Sequence, residues 1–103
     1  MGYDTRFKLG MYAEKYEDVE KLLENEKMLH SIYLNKSEPF KWYNRHQDMI
    51  DYSLKYPKVI FILLGEGEEI EDKWKLWTKN GKQIEKYAEI VIKWPKLDLK
   101  EIE

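Results

Sequence analysis

Hydrophobic and polar residues alternate strictly through Tyr3-Asp4-Thr5-Arg6-Phe7-Lys8-Leu9, with Tyr3, Thr5, Phe7 and Leu9 in one phase. A period of two predicts a half-buried strand, which Gly10 closes. From Glu17 the period lengthens. Val19, Leu22 and Leu23 fall at i, i+3 and i+4, and Glu17, Asp18 and Glu20 suit the positive end of a helix dipole. This predicts a helix to about Met28. Ser31-Ile32-Tyr33-Leu34 fits either a strand or a helix, and it is read as a short strand.

Pro39 interrupts, and Phe40-Lys41-Trp42 reads as an extended approach to a second helix. Asn44 is its N-cap, Gln47 takes the third position of a capping-box-like pattern, and Met49, Ile50, Ser53 and Leu54 share one face. Pro57 ends this helix, because the residue before a proline disfavours the helical region. Val59 to Leu64 is a continuous apolar run. Its length and β-branching predict a central strand buried on both faces. After a flexible acidic loop at Gly65–Glu69, Lys73 to Thr78 forms a strand. Asn80-Gly81 is the strongest hairpin signal in the chain. The return strand covers roughly Lys82 to Trp94, with Ala88, Ile90, Ile92 and Trp94 on one side, and Pro95 stops it. The expected class is α+β, a mostly antiparallel sheet of four to five strands with two helices on one face. Residues 1–95 form the single domain and 96–103 a polar tail.

Composition narrows the functions this pattern can serve. The chain has 103 residues, 43% hydrophobic and 37% charged, with no cysteine. That excludes disulfide-stapled, collagen-like and strongly disordered classes, together with thiol catalysis and Cys-based zinc sites. No run approaches the ~20 apolar residues of a membrane span. Met1-Gly2-Tyr3-Asp4 carries no basic-then-apolar signal, so the expected location is cytoplasmic and no membrane partner is expected. His30 and His46 stand in different predicted elements with no second ligand at i+4, so no metal is expected. The serines lack a nucleophile-elbow context. Gly65-x-Gly67 lacks the remaining glycine, lysine and hydroxyl of a phosphate loop, so no cofactor is expected. The expectation is a protein without enzymatic activity.

Formal charge is −2, but it is segregated. Glu66, Glu68, Glu69, Glu71 and Asp72 crowd five carboxylates into seven residues. Such a loop suits a hard cation, a basic patch on a partner, or simply a solvated turn whose glycines allow positive φ. It lacks the ligand spacing of a calcium-binding loop. The following residues 73–100 carry eight lysines against Glu85, Glu89 and Asp98, a local charge of +5. Trp74, Trp77, Tyr87 and Trp94 interleave with them. Alternation puts Lys73, Lys75 and Trp77 outward together. Interleaved cations and aromatics suit single-stranded nucleic acid or a nucleotide, with Lys73, Lys75, Trp77 and Lys82 as the contacts. The other reading is lysines that protect an edge strand from aggregation. Trp42-Tyr43, ahead of the second helix, closes the end of the core or borders a ligand pocket.

Several stretches together resemble a group of small proteins encoded by bacteriophages and other bacterial mobile elements. They are Met1-Gly2-Tyr3-Asp4-Thr5, Trp42-Tyr43 with Asp48-Met49, Tyr56-Pro57 with Phe61, Gly65 to Glu69, Asp72-Lys73-Trp74 and Asn80-Gly81-Lys82. The C-terminal layout is similar to the YubB-type ferredoxin-like domain of plasmid proteins. The resemblance implies a ferredoxin-like two-layer sandwich and transfers no catalytic residue. It also implies an accessory protein, monomer or homodimer, that binds and inhibits or modulates a bacterial host or defence component in an anti-CRISPR-like manner. The expected contact residues are Glu66, Glu68, Glu69, Asp72, Trp42, Tyr43 and Trp77. Nucleic acid is the alternative partner.

Overall fold

A computed structural model describes residues 4–34, 38–69, 72–89 and 98–101. Strand β1 (Arg6–Tyr12) leads into helices α1 (Tyr16–Asn25), α2 (Lys27–Tyr33) and α3 (Arg45–Lys55). Strands β2 (Ile60–Glu66), β3 (Lys73–Lys79) and β4 (Lys82–Tyr87) follow. The sheet order is β1-β2-β3-β4, with every neighbouring pair antiparallel. The class is therefore α+β. A ferredoxin-like domain has the order β-α-β-β-α-β. Here all three helices fall between the first two strands, and the rest of the sheet is a simple meander.

One face of the sheet makes the core. Phe7, Leu9 and Met11 from β1, Phe61 and Leu63 from β2, and Trp74 and Leu76 from β3 are all buried. They pack in one cluster with Val19 and Leu22 of α1, Leu29 and Ile32 of α2, and Met49 of α3. The alternation predicted from Tyr3 to Leu9 runs on past Gly10 to Tyr12. Gly10 lies on the opposite face beside Ile62, and Met11 keeps the buried phase. Tyr3 lies outside the described residues.

Ser31–Tyr33, expected as a strand, belongs to α2. Leu29 and Ile32 are three residues apart and both fully buried, so only helical spacing carries both into the core. The first helix stops at Asn25 rather than Met28 because Glu26 is extended (φ −114°, ψ 88°) and the chain turns there into α2. Among the described residues, three α-helices therefore replace the expected two. At α3, Asn44 holds the N-cap position without a side-chain capping bond, and Gln47 bonds Asp51 instead (3.0 Å). Leu54, expected on the buried face, is 56% exposed; Tyr52 of this helix and Tyr56, its C-cap, pack on the core instead.

β2 is buried on one face only. Phe61 and Leu63 are fully inside, whereas Ile60, Ile62 and Leu64 are half-buried to exposed. All three helices take the inner face, so continuous hydrophobicity here does not mean burial on both sides. Gly65 is part of β2, and its φ is not positive. A Cβ there would sit 2.1 Å from the Trp74 ring, so the glycine makes room for the indole lying across it. Asn80 (φ 45°) and Gly81 (φ 81°) form the expected hairpin turn, both left-handed as a type I′ turn requires. The amide of Gly81 donates to Ser53 Oγ (3.0 Å), and that hydroxyl donates to Ile50 O (2.7 Å), tying the turn to α3. The return strand reaches Tyr87; its expected continuation through Ile90, Ile92 and Trp94 lies outside the described residues. Within the tail, Leu99–Glu101 forms one exposed 3-10 turn.

Candidate functional site

Strand pairing organises the helix-free face of the sheet. Across the four strands the register sets out the rows Arg6–Glu66–Lys73, Lys8–Leu64–Lys75–Lys86 and Gly10–Ile62–Trp77–Ile84, followed by the pairs Tyr12–Ile60 and Lys79–Lys82. Among the described residues, seven cations (Arg6, Lys8, Lys73, Lys75, Lys79, Lys82 and Lys86) share this face with one carboxylate, Glu66. All seven are exposed, and among the described residues none makes an ion pair. Between them runs an apolar stripe of Leu64, Ile62, half-buried Trp77, Ile84 (59% exposed) and Tyr12 (61% exposed).

Two lysine pairs, Lys75 with Lys86 and Lys79 with Lys82, stand directly opposite one another. Like charges in that relation are destabilising, each pair by roughly 0.2–1 kcal/mol. Lysines on the edge strand β4 suffice to discourage edge-to-edge pairing. Edge protection does not account for Lys75 and Lys79, which lie on the interior strand β3 and face them. A bound polyanion would relieve the repulsion.

Lys73, Lys75, Trp77 and Lys82, the residues expected for nucleic acid, are thus on one face. The structure adds Arg6, Lys8 and Tyr12 from the chain start, and Lys79, Ile84 and Lys86 from the hairpin. In the sequence these additions are visible only as the polar phase of an alternating segment. Strand pairing is what brings them onto one face with the β3 residues.

The residues expected to capture a protein partner are scattered over the structure. Glu66 lies at one end of the helix-free face. Beyond it, Glu68 and Glu69 are exposed in a turn closed by Gly67 N to Asp72 O (2.7 Å) and Asp72 N to Glu69 O (3.0 Å). Trp42 is 8% exposed, packed edge-on to Phe7 (5.5 Å) and stacked near Phe40, and its Nε1 donates to Asp48 Oδ2 (2.7 Å). It closes the core and also lines a cavity at the start of α3. Tyr43, at 72% exposure, does not close the core. Tyr43 and Asp72 border the same cavity, of about 250 Å³, with Lys41, Arg45 and Tyr87. Arg45 lies 4.4 Å above the Trp74 ring, which staples α3 to β3.

Catalytic geometry is sparse. His46 Nε2 pairs with Glu85 across α3 and β4, and Gln83 Nε2 donates to His46 O (3.0 Å). No hydroxyl nucleophile bonds this histidine among the described residues, so the pair fastens a helix to a strand. Among the described residues no cluster of three His, Asp or Glu could hold a metal, and no helix is long and apolar enough to cross a membrane. No protein-family model matches the chain, and neither a curated protein nor a solved structure matches it. Function has to be read from the chain's own side chains.

Proposed function

We propose that this protein acts by binding rather than catalysis, and that its working surface is the helix-free sheet face, taking nucleic acid. One observation carries this: seven exposed cations frame an aromatic and aliphatic stripe, with lysines set against each other at a cost in stability. Phosphates supply the missing counter-charge, and bases cover the apolar stripe. The net charge of −2 does not oppose this. The acidic side chains crowd onto α1, with Glu17, Glu20 and Glu24 exposed, and onto the β2–β3 turn, leaving the sheet face basic. A small accessory factor of the mobile-element type suits this role.

Capture of a basic-surfaced bacterial host or defence protein is the second reading. It is favoured by Glu68 and Glu69, both exposed in a turn held by two backbone hydrogen bonds. One set of titrations separates the two. Nucleic-acid affinity is measured against salt for the intact chain, for Lys75→Gln with Lys86→Gln, and for Glu66→Gln with Glu68→Gln and Glu69→Gln. On the first reading affinity falls as salt rises, and the slope becomes shallower by roughly 0.7–0.9 for each lysine removed. The triple carboxylate variant binds as well or better. Salt-independent or absent binding, together with a triple variant that loses its bacterial partner without losing thermal stability, favours the second.

A further inference from the structure

We infer that the nucleic acid taken by this face is single-stranded, with one unpaired base seated beside Trp77 and its flanking phosphates on Lys75 and Lys86. The inference rests on the proposed function and names the substrate class of the same surface.

The helix-free face is not flat. Between β3 and β4 it holds a depression of about 330 Å³ lined by Leu64, Lys73, Lys75, Trp77, Lys86 and Ala88. It arises because Ala88, held opposite Lys73 by its amide bond to Lys73 O (2.8 Å), is short where the other outward residues of this hairpin are lysine, isoleucine or tryptophan. The volume lies at the small end of ligand pockets, which run roughly 300–1,000 Å³. Its lining combines the indoles of Trp77 and Trp74, the Tyr87 ring and a leucine with three ammonium groups, matching a flat base carried on an anionic backbone.

A duplex cannot use this arrangement. Its bases are stacked on one another, so it meets a surface with phosphates and groove edges, leaving Trp77, Ile62 and Ile84 uncovered. Exposed bases instead stack on sheet aromatics while the backbone tracks the cations. Tyr12 offers a second platform. It stands two strands away, about 10 Å at the usual strand spacing, and one row further along. Four strands with two such platforms suit two or three bases. Glu66 and the exposed Glu68 and Glu69 make one end of the face negative, so the strand's path runs from Lys73 toward Lys79 and Lys82.

The deciding experiment titrates the intact chain at low salt with an oligothymidylate, an oligouridylate and a duplex of equal length. Each is roughly ten nucleotides long, within the ~4–16 that comparable surfaces occupy. The expected result is tryptophan quenching and at least tenfold tighter binding of a single strand than of duplex. Trp77→Ala should weaken it about 5- to 150-fold, the range that stacking of one base carries, and Trp77→Phe should keep most of the affinity. Tighter binding of either single strand than of the duplex supports the inference, whichever of the two strands binds better. Equal binding of duplex and single strands overturns it while leaving the nucleic-acid reading intact. So does a Trp77→Ala variant, folded by circular dichroism, that binds as the parent does. Binding of none of the three overturns both.

Discussion

The two faces of this one sheet are built by opposite rules. On the inner face, opposed residues include the apolar pairs Leu9 with Leu63, Met11 with Phe61 and Leu63 with Leu76. On the outer face, opposed residues include Lys75 with Lys86 and Lys79 with Lys82. The first set lowers the free energy of folding by removing apolar surface from water. The second raises it, so stability cannot be the reason for it. Alternation along each strand assigns residues to a face, and the pairs across strands reveal which face is built for something outside the molecule.

Substitution of the two β3 tryptophans should break the symmetry most sharply. Trp74→Ala empties a site 3% exposed and in contact with Phe7 and Arg45, and should cost about 3–5 kcal/mol. Trp77→Ala, on the half-buried outer face, should cost under about 1.5 kcal/mol. Urea unfolding monitored by circular dichroism measures both. Equal losses would mean that the outer face belongs to the core.

A smaller effect with a telling sign comes from Lys86→Glu. Placing a carboxylate opposite Lys75 should stabilise the fold by about 0.2–1 kcal/mol, while nucleic-acid binding weakens. A thermal melt and one titration on the same sample test the two together. A variant that loses stability would show that Lys86 serves the fold.

The smallest effect belongs to the helical layer. Burial raises the Tyr52 phenol above its ordinary 10.0, and the carboxylates of Glu26 and Asp48 push it further. The folded chain thus holds that proton more tightly than the unfolded one. Tyr52 leaves stability unchanged below about pH 10 and lowers it as pH rises through the ordinary value toward the folded one. Lys55 is also raised, first by its hydrogen bond to Glu26 (2.7 Å) and then by that carboxylate's charge, and its contribution likewise disappears in alkali. Tyr52→Phe should therefore match the parent's urea midpoint near neutral pH and exceed it above about pH 10.

Much of the fold is legible in the chain. The alternation in β1 and β3, the left-handed Asn80-Gly81 turn and the Pro57 stop are local devices, and local rules read them correctly. Ser31–Tyr33 went the other way. Its β-branched and aromatic residues suit a strand, but the core needed Leu29 and Ile32 on one side, and packing overrode propensity. Trp42 shows the same limit at the site. An exposed contact and a buried core indole look identical in sequence, and only Phe7, Phe40 and Asp48 around it decide between them.

The sequence by itself determined which side chains share a face of each strand, because the side-chain period of two is a property of the backbone. It also determined where charge accumulates along the chain, the acidic turn followed at once by the lysine-rich hairpin. It did not determine which strands stand side by side. Only the tertiary structure set β1 beside β2, bringing Arg6, Lys8 and Tyr12 to a surface otherwise made by residues from Ile60 onward. Pairing partners are chosen by how three helices bury one face of the sheet. The basic surface is what remains on the other face once that choice is made.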